Sequence, residues 1–484
     1  MIYENMDQLK RGCESILACD DGDVRVLDEA SFQEKLIDDL IYTVVFSPNP
    51  ETSQAAGFLI RRGAAKLGIL SSSIQSLYEA MGRKELCGFT VPAINIRGIT
   101  YDVAQAVFRG AIKGNVGPVI FEIARSEIGY TKQRPLEYAC AVTAAAVKSG
   151  WRGPIFLQGD HFQLNAKKFA ADAEKETQAV KDLIREAIVA GFYNIDIDTS
   201  TLVDLSQPTI KDQQRTNFTL AAELTTLIRD LEPEGITVSV GGEIGEVGGK
   251  NSTVDELQVF MDGYLEELKK RSKDFKGISK ISVQTGTTHG GVPLADGTVA
   301  KVKIDFNVLQ KLSETSREQY GLAGAVQHGA STLPDEAFDR FPATGTAEIH
   351  LATGFQNMIY DSKDFPAQLR AKVYDHLKAE MKGEWKGKDT EEQFIYKTRK
   401  KAFGPFKMEL WHLTADVRDE ICTELERKFA FLFDKLKVNG TRPFLDQFIK
   451  PVDVPLEIPT ALKGLKRRHY EDGMISSGPG ENQE

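Results

Sequence analysis

Cysteine is sparse in this chain of 484 residues: five, at positions 13, 19, 87, 140 and 422, with no Cys-x-x-Cys pair. An odd, scattered set suits free thiols in a reducing cytoplasm and argues against a disulfide framework. Long hydrophobic runs are also missing. Residues 40–46 form one of the longest, far short of the ~20 apolar residues that cross a bilayer. Basic charge is not in excess: 60 Lys and Arg stand against 70 Asp and Glu, a net charge of −10. That balance lacks the footprint of a nucleic-acid binder or of a protein drawn to anionic membranes. The first residues, Met-Ile-Tyr-Glu-Asn-Met-Asp, have neither the basic nor the apolar region of a signal peptide. No Gly-x-Gly-x-x-Gly follows the first predicted strand, which weakens a dinucleotide-binding open sheet. Against these absences, 41% hydrophobic and 27% charged residues are ordinary for a globular protein and exclude wholesale disorder or a collagen-like chain.

What is present is an alternation. Residues 1–85 read as a helical lead, with three- and four-residue apolar spacing over 52–67 and 71–81. From about 89, short runs rich in Val, Ile and Phe recur at 91–96, 118–123, 154–157, 193–198, 236–240, 281–284, 323–327 and 347–351. Helical periodicity fills the gaps between them. Strand alternating with helix predicts parallel βαβ units, and eight of them within 86–365 predict an α/β fold of the (β/α)8 TIM-barrel class. A doubly wound open sheet is the structural alternative. Residues 366–457 read as a helical C-terminal extension and 458–484 as a flexible tail.

Histidine numbers only seven, and position matters more than count. In a barrel, functional side chains collect where strands end. The third strand ends in Gly159-Asp160-His161 and the fourth in Asp196-Ile197-Asp198. The fifth runs into Gly242-Glu243-Ile244-Gly245-Glu246, the sixth into Thr288-His289-Gly290-Gly291, and the seventh into His328-Gly329-Ala330-Ser331. The eighth carries Glu348-Ile349-His350. Four histidines thus fall on one face, whereas His376, His412 and His469 lie in the helical tail. Three histidines with an open fourth position are a common arrangement for catalytic Zn²⁺, and nearby carboxylates suit a second, harder cation. Glycines and a hydroxyl after strands six to eight (Gly290, Gly329, Ser331, Thr353) leave backbone N–H groups free for a phosphate.

These motifs, with Gly88-Phe89-Thr90-Val91-Pro92-Ala93-Ile94-Asn95 before them, resemble the class II, metal-dependent fructose- and tagatose-bisphosphate aldolases over roughly 88–357. Weaker similarity continues to about 437. The resemblance implies His161, His289 and His328 as zinc ligands, and Asp198 and Glu243 as positions for a second or displaced cation, divalent or monovalent. It implies Asp160 as the group that protonates the carbonyl of the aldehyde partner, and Gly290, Gly329 and Ser331 as phosphate contacts. Three positions depart from the family. Asn251 stands where a loop glutamate moves the C3 proton, His350 where an asparagine holds the enediolate, and Ala124 where a serine touches phosphate. An amide cannot serve as general base, so Glu246 or His350 is expected to take that part. The expectation is a cytoplasmic zinc-dependent lyase acting on a phosphorylated sugar, as a homodimer or higher homo-oligomer. Two alternatives stand beside it: a metal-dependent sugar epimerase or isomerase, and a catalytically silent aldolase-like subunit.

Overall fold

The fold is described from a computed structural model covering residues 1–20, 23–245, 250–286, 294 and 304–462. Contacts divide it into two units, Met1–Lys66 with the chain from Leu456, and 67–455.

The first unit pairs helices Ile37–Phe46 and Pro50–Lys66 with an antiparallel hairpin, β1 (Leu17–Asp20) and β2 (Asp23–Val26). The sequence reading expects mostly helix and loop here. Its missed signal is Asp21-Gly22 between two four-residue runs, the commonest short hairpin dipeptide.

The second unit is the barrel. A short strand, β3 (Ile69–Ser71), leads into eight parallel strands: β4 (Val91–Asn95), β5 (Ile120–Ala124), β6 (Gly153–Gln163), β7 (Asn194–Asp198), β8 (Ser239–Glu243), β9 (Lys280–Val283), β10 (Ala325–Gln327) and β11 (Glu348–Leu351). Each pairs with the next, and β11 returns to β4 through Glu348↔Val91 to Leu351↔Ile94, closing the ring. The fold is a (β/α)8 barrel. β3 extends it outside the ring by pairing with the first residues of β6. The helix Ala415–Lys435 lies on the barrel helix Thr100–Lys113, joined by Arg109–Glu426 and Arg418–Asp102. Trp411, Phe429 and Phe433 are buried, and Phe429 meets Phe355 at 4.8 Å between centroids. β3, the helix Gln75–Gly82 and the tail helices group with the barrel in one unit, whose contact boundaries fall at 66/67 and 455/456.

Strand alternation sorts the side chains. Phe121, Ile123, Leu157, Ile195, Ile197, Ile281, Val283, Ile349 and Leu351 are buried on the strands' helix-covered side. The intervening positions, Glu122, Gln158, Asp196, Lys280 and Glu348, are equally buried but hydrogen-bond one another inside the ring. Barrel interiors are usually filled by branched apolar residues. This one is polar to its middle layer.

Candidate active site at the C-terminal mouth of the barrel

A cavity of about 520 Å³ opens at the C-terminal ends of the strands. Asp160, His161, Asp198, Glu243, His328, Gly329, Ser331, His350 and Thr353 all line it. Asn251 is described but is not among the lining residues. Glu246, His289 and Gly290 lie outside the described residues.

The geometry begins with β6. In a regular strand Asp160 and His161 would point to opposite faces. Here the pairing of β6 with β7 shifts register between Gly159 and Phe162, and His161 takes a left-handed φ of 40°. The bulge turns both side chains into the cavity, the usual effect of an inserted residue at a strand's functional end. His161 Nδ1 lies 3.0 Å from Asp198 Oδ2 and 3.2 Å from Glu243 Oε2, and its Nε2 is 3.8 Å from Asp160 Oδ1. The His328 ring stands 4.3 Å from that of His161 and 4.0 Å from that of His350, centroid to centroid. Two overlapping groups, Asp160–His161–His328 and His161–Asp198–Glu243, each present their donor atoms within 4.8 Å of one another.

The electrostatics follow from that crowding. Burial, reinforced by Asp198, pushes the Glu243 carboxyl up to about 8. Burial alone would lower His161, but the carboxylates of Asp160, Glu243 and Asp198 outweigh it and hold the imidazolium well above the ordinary range. Asp198 is held low against its burial by the hydrogen bond and charge of His161.

Gly329 has φ 67°, a left-handed conformation that favours glycine. Ser331 Oγ accepts the backbone N–H of Ala352 at 3.3 Å, tying this loop to the start of the helix Thr353–Asp361. The cavity wall also carries cations that the sequence reading left unassigned. Arg97 pairs with Glu127 at 2.8 Å and reaches Thr353 Oγ1 at 3.3 Å. Arg125 pairs with the buried Glu176. Lys400 comes from the segment after the barrel and is held below the usual lysine range by burial and by Arg97. A lone Arg or Lys after a strand gives no signal of its own; the closed ring brings these three together.

The family model for class II fructose-bisphosphate aldolase matches residues 76–404. The chain belongs to this family. Among solved structures, this class II aldolase-family chain is similar to the fructose-bisphosphate aldolase of Campylobacter jejuni, at 16% identity over 77% of this chain and 97% of that one, with a TM-score of 0.43. It is similar to the YdjI aldolase of Escherichia coli K12, at 13% identity over 77% and 100% of the two chains, TM-score 0.42. It is also similar to the fructuronate-tagaturonate epimerase UxaE of Cohnella laeviribosi, at 11% identity over 90% and 89%, TM-score 0.48.

Family members are metal-dependent, and the donor set here fits a divalent metal. Two imidazoles and three carboxylates converge among the described residues, a mixture that borderline cations such as Zn²⁺ accept. A proton count follows. Burial holds the Glu243 carboxyl high and the surrounding carboxylates hold the His161 imidazolium high, so a metal that takes both as ligands displaces their protons. Zinc binding by metal-free protein is expected to release about two protons at pH 7 and to weaken ~10–100-fold per pH unit below 8. Calorimetry in buffers of different ionisation enthalpy measures the release. Proton-neutral binding would show that His161 and Glu243 are not the ligands.

Proposed function

We propose that the chain is a zinc-dependent aldehyde-lyase that reversibly cleaves a ketose phosphate or bisphosphate through an enediolate. The observation that carries the reading is the convergence of His161, His328, Asp160, Asp198 and Glu243 at the mouth of the barrel, beside the Gly329–Ser331–Thr353 cradle.

In this reading His161, His289 and His328 hold the metal, with Asp198 and Glu243 offering a second or displaced position. Zinc, when bound, supplies Lewis-acid stabilisation of the charge that develops on the substrate's oxygens. The remaining steps belong to the chain. The backbone at Gly290 and Gly329–Ser331, with Thr353, orients the phosphate, and Arg97 and Lys400 supply positive charge along the same wall. Asp160 gives its proton to the carbonyl oxygen of the aldehyde partner in condensation and recovers it in cleavage. His350 takes the place of the family's asparagine. With Nδ1 2.9 Å from Glu122 Oε2 and 3.3 Å from Asp160 Oδ1, it can hold the proton removed from carbon, a task shared in the sequence reading with Glu246. Dispersed thiols and a net charge of −10 accord with a cytoplasmic enzyme of carbohydrate metabolism, and the family's habit favours a homodimer. Among the described residues no helix is long and apolar enough to cross a membrane.

A second reading has one specific support. His350 and Asp160 are two proton-bearing groups 3.3 Å apart in the cavity, which a metal-dependent epimerase or isomerase could use on the same enediolate without breaking a carbon–carbon bond. Dihydroxyacetone phosphate in deuterated water separates the cases. Zinc-loaded protein is expected to exchange the C3 proton. No exchange, with ketose isomers interconverting instead, would replace the lyase by the epimerase. Neither activity in fully metallated protein would leave the silent subunit.

A further inference from the structure

A second cavity, of about 320 Å³, lies at the other end of the barrel, where Thr237 precedes β8 and Lys276 precedes β9. The proposed reaction leaves it unused. The helix Gln75–Gly82 begins at its wall without a cap of its own, because Ile74 offers no side-chain oxygen. Ser73 Oγ accepts the N–H groups of Gln75 and Ser239, each at 3.1 Å. The Ser76 N–H finds no acceptor among the described residues. Ser76 Oγ donates to the Phe448 carbonyl at 2.6 Å, which ties the chain after the barrel to the helix start and brings Lys450 to the cavity. Lys276 shares its charge with Glu79 at 2.7 Å. Lys450 has no carboxylate partner among the described residues, and the Thr237 hydroxyl has no partner there either.

The deciding group is Gln75, which lines the cavity and is 7% exposed. Its Nε2 donates to Glu79 Oε1 at 3.0 Å and so fixes which way the amide faces. Its Oε1 is buried with no donor among the described residues. A buried acceptor left unpaired is costly and marks a place where a donor belongs. We propose that this cavity is a binding site for a small hydroxylated phosphate ester. The Ser76 N–H, the Thr237 hydroxyl and the Lys450 ammonium donate to the phosphate, and a hydroxyl of the ester donates to Gln75 Oε1. Three donors from three separate chain segments suit the three terminal oxygens of a phosphate better than the two of a carboxylate. An uncapped helix start favours the same charge. The lone carboxylate, Glu79, is offset by Lys276, so Lys450 leaves the wall net positive. The site is separate from the metal-bearing mouth and does not depend on the reaction proposed there.

Lysine acetylation of the full, zinc-loaded chain, followed by mass spectrometry, reads this cavity directly. Glycerol 3-phosphate is expected to protect Lys450 along a saturating curve, ~10-fold at ~10 times the half-protection concentration. Half-protection should fall at or below ~1 mM, the usual upper range for metabolite sites. Inorganic phosphate should protect ~2–10-fold less tightly, for want of the hydroxylated chain. In Gln75→Leu the two ligands should become equal. Thr237→Val, a shape-matched change that serves if the first variant does not fold, should weaken both ligands ~2–10-fold. No protection of Lys450, half-protection beyond that range, or equal protection by glycerol or by potassium chloride at matched ionic strength overturns the proposal. Protection of Lys400 alone would put the anion only in the active-site cavity and overturn it as well. An ester preference that survives in folded Gln75→Leu, or undiminished binding in Thr237→Val, would show that these groups do not hold the ligand.

Discussion

Replacing His161 with alanine is expected to empty the metal site. Zinc retained after gel filtration should fall from close to one equivalent per chain to below ~0.1, because loss of a direct ligand exceeds the ~10–100-fold cost of losing an indirect one. His161 is the residue shared by both donor groups, Asp160–His161–His328 and His161–Asp198–Glu243. Among the described donors its removal leaves three carboxylates and the His328 imidazole, an oxygen-rich set better suited to harder cations than to zinc. The loss has a second cause. In the metal-free protein the imidazolium offsets the charge of Asp198 and Glu243, so its removal leaves Glu243 and Asp198 to share protons instead of converging as ligands. The variant should therefore also lose the proton release that accompanies zinc binding. His376→Ala is the control: that ring lies edge-on to Phe406 in the tail and should leave the metal content unchanged. Full zinc retention in His161→Ala would overturn the ligand assignment.

The barrel was legible in the sequence because its outward side chains are apolar in short, evenly spaced runs, and strand ends carry function whatever the loops do. The limits were physical. The fifth strand reads as 236–240, whereas β8 spans Ser239–Glu243, because Gly241-Gly242 looks like a turn. Those glycines are strand residues, and at Gly241 the reason is the close approach of Asp196 and Lys280 from neighbouring strands. Asp160-His161 was legible as a pair but not as a bulge, since register depends on the partner strand. Lys280 and Glu122 went unread because a charged residue inside a strand acquires meaning only through its partners. Lys280 meets Asp196 across 84 residues and Glu348 across 68. The sequence does hold a trace of this layer: Glu-Ile-His-Leu, Asp-Ile-Asp and Lys-Ile-Ser-Val alternate polar with apolar, the period-two pattern of a strand polar on one face. In a barrel covered outside by helices, that polar face can only be the interior. Asn251 stood for a catalytic loop position, and a loop's reach is not set by its spacing along the chain. The described structure leaves it off the cavity wall.

Asp160→Asn is expected to divide the reaction in two. If Asp160 serves the carbonyl of the aldehyde partner, the variant should cleave ketose bisphosphates ~10²–10⁴-fold more slowly, the usual contribution of a positioned acid–base group. C3 exchange of dihydroxyacetone phosphate, which involves no aldehyde, should stay within a few-fold of wild type, about 1 kcal/mol or less in barrier. The geometry supports such a division. Asp160 Oδ1 faces His161 Nε2 at 3.8 Å and His350 Nδ1 at 3.3 Å, so it stands between the metal ligands and the imidazole offered as proton acceptor from carbon. Asparagine keeps the side chain's shape and an oxygen for hydrogen bonding while removing the transferable proton. Zinc content should hold near wild type, since His161, His328, Asp198 and Glu243 are untouched and asparagine keeps an oxygen at the Asp160 position of the Asp160–His161–His328 group. The opposite split, exchange lost and cleavage retained, cannot arise for a group that serves only the aldehyde. Equal loss of both would make Asp160 the base for the carbon proton and leave His350 to protonate the carbonyl. Equal retention would remove Asp160 from the chemistry altogether. The ratio of the two rates, measured on one preparation of known zinc content, therefore assigns the proton of each half-reaction to a named side chain.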